Sequence, residues 1–154
     1  TLANVGKKIK KYDYEEVGFN YKMTNIQAAL GLSQLKNLKK NLLIKKKIFE
    51  NYYENLKNLK NTNCIFNRQY QHWVFVLIVN SYKKFKSLQK QLQKAGIQLD
   101  FFWKPLHLQN PYKKFMHEKL KFTEIIWNKV VVLPSHPGLK VSEQEKIIKI
   151  LKKN

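Results

Sequence analysis

Two stretches of the chain carry side chains whose types and spacing could do chemistry. Lys104-Pro105-Leu106-His107-Leu108-Gln109 sets a cation, an imidazole and an amide between apolar residues, on a loop stiffened by proline. A neutral imidazole both donates and accepts a hydrogen bond, so His107 suits a polar ligand, although spacing alone favours a structural histidine with its bonds satisfied. Gly18 to Gln27 offers a glycine, an amide and a capped helix start, which together can hold an anion at backbone N–H groups. Any capped helix shares that property. The other histidines have poorer settings: His72 at a strand start, His117 in a lysine-rich stretch and His136 in a turn. With only 10 acidic residues, no Ser/His/Asp set, paired carboxylates or metal-ligand spacing can be assembled, and no glycine-rich phosphate loop is present.

The elements that must position these residues follow from periodicity. Residues 7–16 read as a loop or edge segment. Thr24 followed three residues later by Gln27 is a capping-box pattern, so a helix begins there. Leu35, Leu42, Phe49 and Leu56 recur every seven residues, with Leu38, Tyr52 and Leu59 at the intervening helical offsets. This predicts one long helix over 25–58, followed by a polar connection over 60–71. The run HWVFVLIV, His72 to Val79, is rich in β-branched and aromatic residues and predicts a strand buried on both faces. Phe85, Leu88, Leu92 and Ala95 share a second helical face, with Gly96 where a left-handed cap needs glycine. Ile97 to Trp103 predicts another strand, and Lys104-Pro105 then turns or extends the backbone into a loop over 104–118. A short helix around Phe122, Ile125 and Ile126, a strand from Val130 to Leu133, and a turn over Pro134 to Gly138 come next. Ser142 with Glu145 reads as a second capping box, ahead of Ile147, Ile148, Ile150 and Leu151. Helices and strands interleave, which is an α/β pattern.

Composition bounds the function. At 154 residues, 44% of them hydrophobic and 13% aromatic, the chain can bury a core of its own. The longest apolar run, Trp73 to Val79, stops far short of the roughly 20 residues of a membrane span. Thr1 reads as a point inside a longer protein. The single cysteine, Cys64, has no partner for a disulfide or zinc set and reads as a small apolar residue at a strand edge, consistent with a reducing cytoplasm. The net charge of +20 would ordinarily suggest nucleic acid. Against that, Arg68 is the sole arginine among 30 basic residues, and the lysines are spread along the whole chain. Specific phosphate and base recognition favours the planar fork of arginine, so no specific nucleic-acid site is expected.

The run GFNYKMTNIQAALGLSQL, Gly18 to Leu35, closely resembles a signature of the DegT/StrS-type sugar aminotransferases, which have the aspartate-aminotransferase fold, fold type I. The resemblance continues in the family's order through the strand at Trp73, Ala95-Gly96-Ile97, Pro105-Leu106-His107-Leu108-Gln109 with Pro111-Tyr112, Val132-Leu133-Pro134 and Pro137-Gly138-Leu139. It implies the C-terminal part of a pyridoxal 5'-phosphate-dependent transferase. Residues 1–24 would then end the large cofactor-binding domain, 25–58 form a long connecting helix, and 59–154 make a small C-terminal α/β domain. The family's dimers, with active sites at the subunit interface, imply that Asn20 reaches the cofactor phosphate of the neighbouring subunit. Lys22 stands where the family usually carries arginine, keeping the cation and losing the bidentate fork. Tyr21 and Met23 are packing or contact residues. The resemblance places His107 near the substrate, with Gln109 as a second contact. Asp100 departs from the family, many members of which carry arginine there.

The Schiff-base lysine of this family lies upstream of the matched region, so no catalytic residue is expected in the chain, nor activity of the chain alone. The implied reaction moves an amino group from an amino acid, glutamate, to a keto group of a nucleotide-linked sugar for polysaccharide or glycan synthesis. Some relatives carry histidine in place of that lysine and act as sugar dehydratases, and nothing after Thr1 separates the two. A basic polyanion-binding domain is the non-enzymatic alternative, motivated by charge.

Overall fold

The computed structural model describes residues 17–67, 73–115 and 118–153. The expectations for residues 7–16, for His72 and for His117 lie outside the described residues. Two compact units divide between Lys39 and Lys40, whereas the sequence placed boundaries after residues 24 and 58.

In the first unit, α1 (Asn25–Lys36) opens on the expected box. Gln27 N–H donates to the Thr24 hydroxyl at 3.3 Å, and the Gln27 side-chain oxygen accepts from Thr24 N–H at 2.8 Å. The single helix expected over 25–58 is corrected by the structure. Asn37 caps α1, with its N–H directed to Gln34 and Leu35 carbonyls and its side-chain amide to Ser33 O at 3.2 Å, and α2 (Leu38–Leu56) starts after it. Asparagine competes for backbone partners in this way, and so punctuates a helix that apolar spacing alone would run through. The heptad continues across the break, but burial does not. Leu35 and Leu38 are exposed, and full burial begins at Ile48.

Among its described residues the second unit holds a four-stranded antiparallel sheet in the order β1-β2-β4-β3, formed by β1 (Thr62–Ile65), β2 (Phe75–Val79), β3 (Asp100–Phe101) and β4 (Val130–Leu133). Phe75 and Leu77 of β2 lie opposite Leu133 and Val131 of β4, so these four side chains share one face, and all are at most 1% exposed. That face forms the core with α2, α3 (Tyr82–Lys94) and α5 (Val141–Lys152). The strand expected to be buried on both faces instead alternates, with Val76 and Ile78 only half-buried, as an antiparallel sheet with one packed face requires. Strand β1 was read as part of a polar connection. Asn61, at φ 60°, makes the left-handed turn that feeds it, a conformation asparagine tolerates. Cys64 sits on this edge strand opposite Leu77 and packs against the core.

Helix α3 ends as its sequence predicts. Gly96 adopts φ 76°, its N–H donates to Gln93 O at 2.9 Å, and Ile97 N–H reaches Leu92 O at 2.9 Å. This is a complete Schellman cap, and Ile97 packs against the core beside it. The strand expected over 97–103 shortens to Asp100–Phe101. Helix α4 (Lys121–Ile126) and β4 fall where expected. The capping box read at Ser142 and Glu145 is corrected: α5 begins at Val141, and the Glu143 carboxylate accepts from Lys140 N–H at 2.8 Å. Ser142 and Glu145 are therefore inside the helix.

Tyr52 joins the layers. Its ring is fully buried 5.0 Å from that of Phe75, and its hydroxyl donates to Pro134 O at 3.0 Å. Burial pushes its phenol well above the ordinary tyrosine range. Among the described residues no helix is long and apolar enough to cross a membrane, and no cluster of metal-ligating side chains forms.

Candidate functional site

The candidate residues fall in the two units separately. In the first, Tyr21 N–H donates to Phe19 O at 3.1 Å, which makes a three-residue turn centred on Asn20. The rings of Phe19 and Tyr21 stack 5.4 Å apart and hold that turn. Asn20 and Lys22 are exposed, and with Tyr21, Met23 and Gln27 they line an open concavity of about 460 Å³. The sequence suggested that backbone N–H groups at the start of α1 could hold an anion. Two of those groups, on Thr24 and Gln27, are engaged in the capping box. The side-chain donors of Asn20 and Lys22 are among the exposed polar groups of this concavity. An amide N–H and an ammonium suit an anion with several oxygens.

In the second unit, His107 lies in a 3-10 turn, Leu106–Leu108, entered through Pro105. Its imidazole is only 8% exposed, and Nε2 stands 3.4 Å from Oε1 of Glu124 on α4, which is 43% exposed. The ring is thus covered on most sides and faced by a carboxylate. Glu124 carried no sequence signal beyond being an acidic residue within an apolar helix stretch. Gln109 closes its own loop: its side-chain N–H donates to Lys104 O at 2.8 Å, and its backbone N–H to Leu106 O at 2.9 Å. One of its two polar ends is committed to shaping the loop.

Just before this loop, Trp103 stacks on Trp73, and the backbone carbonyl of Trp73 accepts from Lys45 Nζ at 2.6 Å. Desolvation at this contact lowers the Lys45 pKa from the ordinary lysine range. Sequence reading assigned both tryptophans to strand-like apolar runs, whereas the structure leaves them exposed. His136 lines a separate depression with Gly96, Glu143 and Lys146, and Lys146 Nζ donates to Ala95 O at the end of α3.

The chain is 28% identical over 148 residues to GDP-perosamine synthase of Caulobacter vibrioides, covering 92% of this chain and 40% of that protein. It is 26% identical over 145 residues to UDP-4-amino-4,6-dideoxy-N-acetyl-beta-L-altrosamine transaminase of Campylobacter jejuni, covering 90% and 39%. A DegT DnrJ EryC1 StrS aminotransferase from Brucella abortus superposes with a TM-score of 0.84 at 29% identity, covering 99% of this chain and 41% of that one. The chain therefore spans about two fifths of the length of the relatives it matches. The pattern of the DegT/DnrJ/EryC1/StrS aminotransferase family matches residues 1–152. The fold is that of the C-terminal part of these enzymes. The chain belongs to the DegT/DnrJ/EryC1/StrS aminotransferase family.

Proposed function

We propose that the protein to which this chain belongs transfers an amino group from glutamate to a keto group of a nucleotide-linked sugar, as a homodimer using pyridoxal 5'-phosphate. The carrying observation is the family match over residues 1–152, together with relatives named as a perosamine synthase and an aminosugar transaminase. When bound, the cofactor supplies the electron sink for amino transfer. The donor chemistry on the first unit fits its phosphate. Asn20 donates an amide N–H without adding charge, and Lys22 adds a cation at the rim of the same concavity. On the second unit, the loop carrying His107 and Gln109 faces substrate. Glu124 sets a carboxylate 3.4 Å from the imidazole Nε2, and the Gln109 bond to Lys104 O keeps the loop closed.

The test uses the full-length protein loaded with cofactor. Glutamate alone should yield one equivalent of 2-oxoglutarate per site with a change in the cofactor spectrum, and a keto-sugar nucleotide should then be aminated, as read by mass spectrometry. Absence of both steps would sink the reading. Release of water from the sugar without glutamate consumption would make the protein a dehydratase.

A further inference from the structure

We propose that Trp73 and Trp103 form the platform on which the base of the nucleotide-linked substrate stacks; this rests on the sugar-nucleotide reading above. The two indoles lie 4.9 Å apart and 18° from parallel, yet they are 67% and 59% exposed and stand outside the core cluster. Tryptophan is highly buried on average, so two rings held side by side in the open need a reason. They are also held firmly. Lys45 fixes the backbone of Trp73 from α2, and the ring of Phe102 meets Trp103 edge-on at 5.2 Å and 71°.

Such a preset pair presents an outer aromatic face to a third planar ring. Every nucleobase has a π-face, and its stacking on an aromatic side chain is tolerant of which base it is. The charge beside the platform is complementary to the rest of the ligand. Trp103 is followed directly by Lys104, which is exposed and in no ion pair among the described residues, and a diphosphate next to a stacked base would meet that cation. The same chain direction leads on into the His107 loop. Base, diphosphate and sugar thus have an order along 103–109.

The test uses the full-length protein with UDP and GDP as probes and inorganic pyrophosphate as the control. Oxidation by N-bromosuccinimide, mapped by peptide mass spectrometry, should modify Trp73 and Trp103 in the free protein. UDP or GDP should protect both, and pyrophosphate should protect neither. Trp103→Ala should weaken binding of the protected nucleotide about tenfold to a hundredfold, the range expected for one base stack. Trp103→Phe should cost less than about threefold, and pyrophosphate affinity should not change in either variant. Indoles already shielded in the free protein mean that another part of the chain covers them, which overturns the proposal. So does nucleotide binding indifferent to Trp103→Ala. The oxidation map decides the matter even if Trp103→Ala does not fold. Wild-type glutamate turnover separates the two readings: its absence removes the aminotransferase, while its presence with an inert platform removes only the platform.

Discussion

The side-chain amide of Gln144 donates to the main-chain carbonyl of Ile48 at 2.6 Å, joining α5 to α2 across 96 residues of sequence. The same Gln144 accepts from Asn51 Nδ2 at 2.8 Å and is 4% exposed, so both of its polar ends are satisfied inside the seam. Gln144→Leu keeps much of the volume but removes both bonds and leaves the Asn51 donor without this partner. The expected loss is about 1–3 kcal/mol, the cost of stranding a buried polar group. Urea denaturation of wild type and variant measures it, and an unchanged midpoint would mean that the seam is open to water.

Gly96 offers a sharper test of backbone conformation. A Cβ there would meet nothing within 4 Å, so only the positive φ of 76° opposes a side chain. Gly96→Ala is expected to destabilise by about 1–2 kcal/mol, and Gly96→Asn by less, because asparagine tolerates the left-handed region. Equal stability of all three proteins would show that the cap is not held in that conformation.

Burial pushes the Cys64 thiol up to about 11 from its ordinary 9.0. Labelling by a thiol reagent should therefore be slow at pH 8 and rise about tenfold per pH unit up to pH 10, since the thiolate is the nucleophile. The folded pKa is raised, so its contribution to stability is complete below pH 9 and is lost as pH rises towards 11. Fast labelling at pH 8 would place Cys64 away from the core face of β1.

For the cofactor contact, Asn20→Ala in the full-length protein should raise the Kd for pyridoxal 5'-phosphate about tenfold or more, as expected for one hydrogen bond to a charged group. Lys22→Arg should tighten binding by restoring a bidentate fork. Equilibrium titration of the cofactor-free protein gives both values. If neither substitution shifts the Kd, the phosphate is held by other groups.

Much of the fold could be read from local chemistry. The Thr24 and Gln27 box and the Gly96 cap each depend on residues within a few positions of one another, so short-range sequence is enough, and the apolar run Val130 to Leu133 marked β4 although its partners lie far off in sequence. Residues 62–65 escaped notice because Thr62 and Asn63 are polar, and an edge strand needs only one apolar face. The break at Asn37 escaped because heptad spacing persists across it, although the hydrogen-bonding side chain was visible. For the candidate site, the motifs of Asn20 and His107 were legible, while the surroundings of each were not. Glu124 meets His107 through the placing of α4, seventeen positions on. Lys45 meets Trp73 from a helix twenty-eight positions earlier.

By itself, then, the sequence determined the Thr24 box and the Gly96 cap, and through its ordered motifs the family to which the chain belongs. Tertiary structure alone decided which apolar residues are spent in the core and which remain available. Trp73 and Phe75 sit two positions apart in one hydrophobic run, yet Phe75 is sealed under Tyr52 and Trp73 lies open against Trp103. Hydrophobicity is a property of the residue, whereas burial depends on which elements pack over it.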